Sequence, residues 1–148
     1  MAFRFSLRPI LRLRRSYERL ERLRLLALAA AIVRVREEIA ALKRESQDAR
    51  GRMHEGLALG VTGAEIQFDT VCERFRTDRK QALEAQLEEL KGKQERQRVA
   101  YRAARQKREI LDNLRERQWN EYRQKQARRE QAGLDELHLL GRRTDPPE

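Results

Sequence analysis

The sequence predicts an all-α protein, two long helices paired as an antiparallel coiled-coil hairpin. Charged residues make up 39% of the 148 positions and aromatics only 5%, a mixture suited to solvated helices and too poor in bulky apolar groups for a globular core. Apolar residues recur at alternating steps of four and three, the period of a coiled-coil seam. A single glycine-rich interruption divides the chain into two helical stretches.

The first stretch is expected over about 9–56. Residues 1–8 read as extended or frayed, and Pro9 suits a first helical turn, where its missing N–H costs nothing. Leu28, Ile32, Val35, Ile39, Leu42, Ser46, Ala49 and Met53 form the seam, weakening toward its far end. Upstream, Ile10, Leu13, Tyr17 and Leu20 form a second stripe out of phase with the first. A change of winding is therefore expected near Leu23–Ala27.

The turn is expected at 57–62, where Gly56, Gly60 and Gly63 fall close together. Thr62 followed by Glu65 has the spacing of a capping box, so the second helix should start near Gly63. It is expected to run to about His138. Phe68, Cys72 and Phe75 form its first stripe, continued by Leu83, Leu87, Leu90, Gln94, Gln97, Tyr101, Ala104, Arg108 and Leu111. Gly92 and Gly133 weaken this helix by about 1 kcal/mol each relative to alanine. The tail 142–148 carries Pro146 and Pro147 and is expected to be disordered, and the whole chain reads as one domain.

The helices are unequal. With the turn near residue 60, Leu111 to His138 has no partner in the chain, an overhang of roughly 40 Å at 1.5 Å per residue. It still carries Leu114, Trp119, Tyr122, Leu134, Leu137, Leu139 and Leu140, which a lone helix cannot bury. Trp119 on an overhang points to a partner contact.

Composition bounds the function as well. One cysteine, Cys72, excludes an internal disulfide, fits a reducing compartment and reads as a small seam hydrophobe. The longest apolar run, Leu25 to Val33, is too short to span a membrane and is flanked by Arg22, Arg24 and Arg34. The Arg-rich start could suggest a transit peptide, but Glu18 and Glu21 interrupt it. His54 and His138 are the only histidines, no Cys/His cluster has metal-ligand spacing, and no phosphate-binding glycine pattern occurs. Surface pairs such as Glu121 with Lys125 contribute only about 0.3–0.5 kcal/mol. A two-helix hairpin offers no pocket to shift a pKa, so no enzyme activity, cofactor, metal or small-molecule substrate is expected. The formal charge of +10 admits a polyanion. In Lys91–Arg129, however, the cations surround the helix and alternate with Glu95, Glu109, Asp112, Glu116 and Glu121, whereas a nucleic-acid binder would show a cleaner stripe.

The opening Phe3-Arg4-Phe5-Ser6-Leu7-Arg8-Pro9-Ile10-Leu11-Arg12-Leu13-Arg14 resembles the start of the flagellar FliJ family. So does the closing stretch, Leu114-Arg115-Glu116-Arg117-Gln118 with Tyr122, then Arg129-Glu130-Gln131-Ala132-Gly133-Leu134-Asp135-Glu136-Leu137. The resemblance implies a soluble component of the type III protein export apparatus, with a fold similar to the γ-stalk coiled coil of rotary ATP synthases. It implies three kinds of partner: the hexameric export ATPase, the membrane export gate and export chaperones. The implied location is cytoplasmic, at the inner face of the membrane at the flagellar base. Candidate ATPase contacts are Arg12, Arg15, Arg115, Arg117, Gln118, Trp119, Tyr122, Arg123, Arg128 and Arg129, and candidate gate contacts are Leu42, Phe68, Cys72 and Phe75. Arg76 and Arg79 depart from the family's pattern by interrupting the apolar stripe at the gate region. Two alternatives stand beside this reading: the equivalent stalk of a virulence-type injectisome, and a basic coiled coil that binds nucleic acid.

Overall fold

A computed structural model describes the backbone of residues 3–143 and the side chains through Leu140. The protein is a helical hairpin of two long helices packed against each other, α1 (Arg8–Leu59) and α2 (Gly63–Arg143). The chain divides into two compact units. One joins the chain up to Glu18 with Ala103 onward, and the other is Arg19–Arg102.

The Arg19–Arg102 unit holds the tightest packing. Val35, Ile39 and Leu83 are buried, with Leu42, Leu87 and Leu90 packed against them. The positions Glu21, Leu25, Leu28, Ile32, Val35, Ile39, Leu42, Ser46, Ala49, Met53 and Gly56 of α1 are all buried or half-buried, an unbroken alternation of four and three. The expected change of winding near Leu23–Ala27 is therefore absent. Counting back in sevens from Ile32 gives Leu25, Glu18 and Leu11, and Leu11 is only 3% exposed. Ile10, Leu13, Tyr17 and Leu20 face outward instead, each 43–51% exposed. The inward set that displaces them includes Arg14, Glu18 and Glu21.

The same one-residue offset occurs on α2. Asp69, Cys72 and Arg76 turn inward, while Phe68 and Phe75 are 71% and 72% exposed. Of the expected first stripe, only Cys72 is in the seam. The Arg76 guanidinium is anchored there by Nε, which donates to Glu73 at 3.0 Å, while Nη2 lies 2.9 Å from the same carboxylate without the geometry of a hydrogen bond. Small Ala49 and Ser46 sit on the facing helix, so the turn end is loosely packed.

The turn is shorter than the glycines suggest, because α1 continues through Gly56 to Leu59. A Cβ on Gly56 would meet Val61 Cγ2 at 3.0 Å, so this glycine serves a close approach within a helix. Gly60 makes the reversal with φ 96°, a conformation costly for residues with a Cβ. Thr62 then caps α2. Its N–H donates to Glu65 Oε2 at 2.8 Å, and its Oγ1 accepts from the Glu65 N–H at 3.3 Å. The two orphan donors of a helix start are satisfied reciprocally. These bonds, the backbone one foremost, hold the Glu65 carboxyl below its ordinary pKa. Thr62→Ala should lower stability by about 0.5–2 kcal/mol in urea melts. A melt identical to wild type would mean that the cap does not hold α2's start.

α2 reaches Arg143, beyond the expected end at His138 and into the expected tail, because no residue before Pro146 forbids a helix. The rest of that tail, 144–148, lies outside the described residues.

Candidate partner-binding surfaces

In the unit made by the two chain ends, residues 3–5 are non-helical and Ser6 and Leu7 form a turn before α1 begins, and Phe3, Phe5 and Leu7 turn inward. Phe5 is 8% exposed, and Phe3 and Leu7 are half-buried. The Arg8 N–H donates to the Phe5 carbonyl at 3.2 Å and the Leu11 N–H to the Leu7 carbonyl at 2.9 Å, which joins this segment to α1. Phe3 meets Trp119 edge-on with ring centroids 5.2 Å apart, and it lies 5.7 Å from Tyr122. Trp119 and Tyr122 stack at 5.8 Å. Edge-on and offset rings match the aromatic quadrupole. The expected overhang is thus partly covered by the chain's own start. Trp119 keeps 42% of its surface, and the exposed stretch is 127–140, where Leu134, Leu137, Leu139 and Leu140 remain 59–67% exposed.

Beside these rings, Arg108 ties the helices together. It donates from Nε to Glu18 at 2.7 Å and from Nη1 to Asp112 at 2.8 Å, and Arg15 donates to Asp112 at 2.9 Å. The Arg108 hydrogen bond is the main cause holding the Glu18 carboxyl below its ordinary pKa. Burial pushes Asp112 up, but the bonds from Arg108 and Arg15 outweigh it and the net shift is downward. Arg108 is held charged still more firmly than an ordinary arginine, by Glu18 first and Asp112 second.

The candidate ATPase contacts all fall in this unit. Arg12, Arg15 and Arg115 border one depression with Phe3, Phe5 and Leu11, and Arg115 and Trp119 border a second with Asp112 and Glu116. Gln118 and Tyr122 are half-buried, whereas Arg117, Arg123, Arg128 and Arg129 are exposed. Phe3, Phe5 and Arg108 complete the surface, and sequence reading did not place them in it. The apolar alternation Phe3–Phe5–Leu7 was the available signal for a half-buried segment ahead of α1.

The candidate gate contacts are not gathered together. Leu42 is half-buried, packs on the core and borders a different depression, with Lys43, Ser46 and Arg50. Phe68 and Cys72 border a depression of about 570 Å³ with Met53, Val61 and Arg76, which Phe75 does not reach. Phe68, Val71 and Phe75 instead form an outer apolar stripe, each more than 60% exposed. Of the seam residues, Ile32, Val35, Ile39 and Leu83 are buried and Leu28, Leu87 and Leu90 half-buried. Arg79 is exposed and lies 3.4 Å from Glu38.

No described helix is long and apolar enough to cross a membrane. No curated protein and no solved structure matches the chain. The family described as "Flagellar FliJ protein" matches residues 3–143, which takes in the segment before α1, both helices and the aromatic cluster. The chain therefore belongs to the flagellar FliJ family and is a component of the flagellar protein export apparatus.

Proposed function

We propose that the protein is the central stalk of the export ATPase ring, linking it to the membrane export gate and escorting export chaperones, without catalysis or cofactor of its own. The observation that carries this reading is the surface of the chain-end unit, where exposed arginines surround the Phe3–Trp119–Tyr122 cluster. A stalk inside a six-fold ring cannot match every subunit, so its contacts must adapt. Arginine suits this, since its stem covers apolar surface while its guanidinium finds carboxylates. The ring end is then the chain-end unit, and the gate end is the outer stripe Phe68, Val71 and Phe75 with Cys72. The protein works in the cytoplasm at the inner face of the membrane at the flagellar base.

The test is ATP turnover by the cognate export ATPase with wild-type protein and with Arg117→Glu/Arg123→Glu/Arg128→Glu. These residues are exposed, so circular dichroism should be unchanged while stimulation is lost. Equal stimulation by the reversed protein would move the ring contact to the turn end.

A further inference from the structure

α1 has a second apolar face, and it lies within the Arg19–Arg102 unit. The run Leu25–Val33 is apolar all round, but pairing with one helix buries only one side of it. Leu25, Leu28 and Ile32 turn inward. Leu20, Leu23, Leu26 and Val33 point away at 43–55% exposure, with Ala27 and Ala30 exposed between them. Leu20 to Val33 spans about 20 Å of helix. Exposed Arg19, Arg22 and Arg24 flank one end of this face, and exposed Arg34 and Arg36 the other.

The apolar stretch Leu20–Val33 carries no exposed anion; exposed Glu37 and Glu38 follow Arg36, and Glu38 lies 3.4 Å from Arg79. Glu21 is the only acidic residue between Arg19 and Arg36, and it turns into the seam, where Gln97 donates to its side chain and to its carbonyl and Arg24 pairs with it. Nor does any amide or hydroxyl side chain occur in 19–36. Beside the face, Arg24, Ala27 and Leu28 border a shallow depression with Arg96 and Lys93 of α2, of which Lys93 is paired with Glu89 at 2.8 Å.

We infer that this face docks on a membrane surface containing acidic phospholipid. Leucine and valine would enter the acyl boundary while the flanking guanidiniums bind phosphate and their stems lie along the interface. Charge complementarity selects this occupant. A second copy paired α1 to α1 in parallel is repelled, because that sets arginine clusters beside each other. The surface is distinct from the ring contact, so vesicle binding and ATPase stimulation can fail independently.

The test is co-sedimentation of the full chain with vesicles of phosphatidylcholine alone or with about 30% phosphatidylglycerol. Wild type should bind only the acidic vesicles, and Leu23→Gln/Leu26→Gln should bind them at least about tenfold more weakly. Leu57→Gln, on exposed apolar surface elsewhere in the unit, should leave binding unchanged. If the leucine variant loses helix, Arg22→Gln/Arg34→Gln decides, and it must also lose binding. Three results overturn the inference. One is no binding to acidic vesicles at low salt. Another is a folded leucine variant that binds as wild type, since net charge alone would then hold the protein. The third is saturable binding of a synthetic acidic amphipathic peptide at this face without vesicle binding.

Discussion

Replacing Leu83 with alanine lowers stability by about 2 kcal/mol, the low end of the range for buried leucines because a two-helix seam is thin. Leu83 is 2% exposed and sits against Val35 and Ile39. Its truncation removes apolar burial and leaves a gap that two stiff helices cannot close by collapse. Domains of this size are stable by only about 5–15 kcal/mol, so the loss is a large share. Urea unfolding followed by circular dichroism measures it. Leu59→Ala, at a position 89% exposed, is the control and should shift stability by no more than about 0.5 kcal/mol. If the two variants melt alike, the Val35–Ile39–Leu83 cluster is not the centre of stability.

Arg108→Met has the second large effect, a loss of about 1–3 kcal/mol at neutral pH. The methionine keeps much of the stem's packing but leaves Glu18 and Asp112 without their common partner. The deficit should depend on pH. Both carboxyls have folded pKa values below their ordinary ones. Their stabilisation is therefore fully present above the ordinary carboxylate pKa of about 4 and is lost as pH falls through the depressed folded values. Wild type loses this contribution in acid, and the variant has little of it to lose. The gap between their unfolding free energies should narrow as pH drops below about 4. A gap constant from neutral pH to acid would show that the Arg108 network contributes nothing through charge.

The two helices, their antiparallel pairing and the Thr62–Glu65 cap were legible because each leaves a local signal. The rotation of the helix ends was not. The sets 10-13-17-20 and 11-14-18-21 have identical spacing, and the first is the more apolar. Hydropathy prefers Ile10, Leu13, Tyr17 and Leu20, but the structure buries Leu11 and spends Glu18 on Arg108. A charged seam position looks like a surface one until its partner, 90 residues away, is known. On α2 the same ambiguity separates Phe68 and Phe75 from Asp69 and Arg76, and it displaced the gate candidates. The aromatic cluster was hidden differently, since Phe3 reaches Trp119 from the segment before α1, where no helical period applies.

The half-buried charges of the seam also decide which chains can pair. In the hairpin Glu18 faces Arg108, and Glu21 faces Gln97. Were two molecules to zip α1 to α1 in parallel, Arg14 would meet Arg14, Glu18 would meet Glu18 and Glu21 would meet Glu21 along the seam. Such like-charge contacts set a coiled coil against a partner that its leucines alone would accept. The polar residues that thin the seam thereby keep each chain folded on itself, and a crowded assembly site can hold many copies without their exchanging helices.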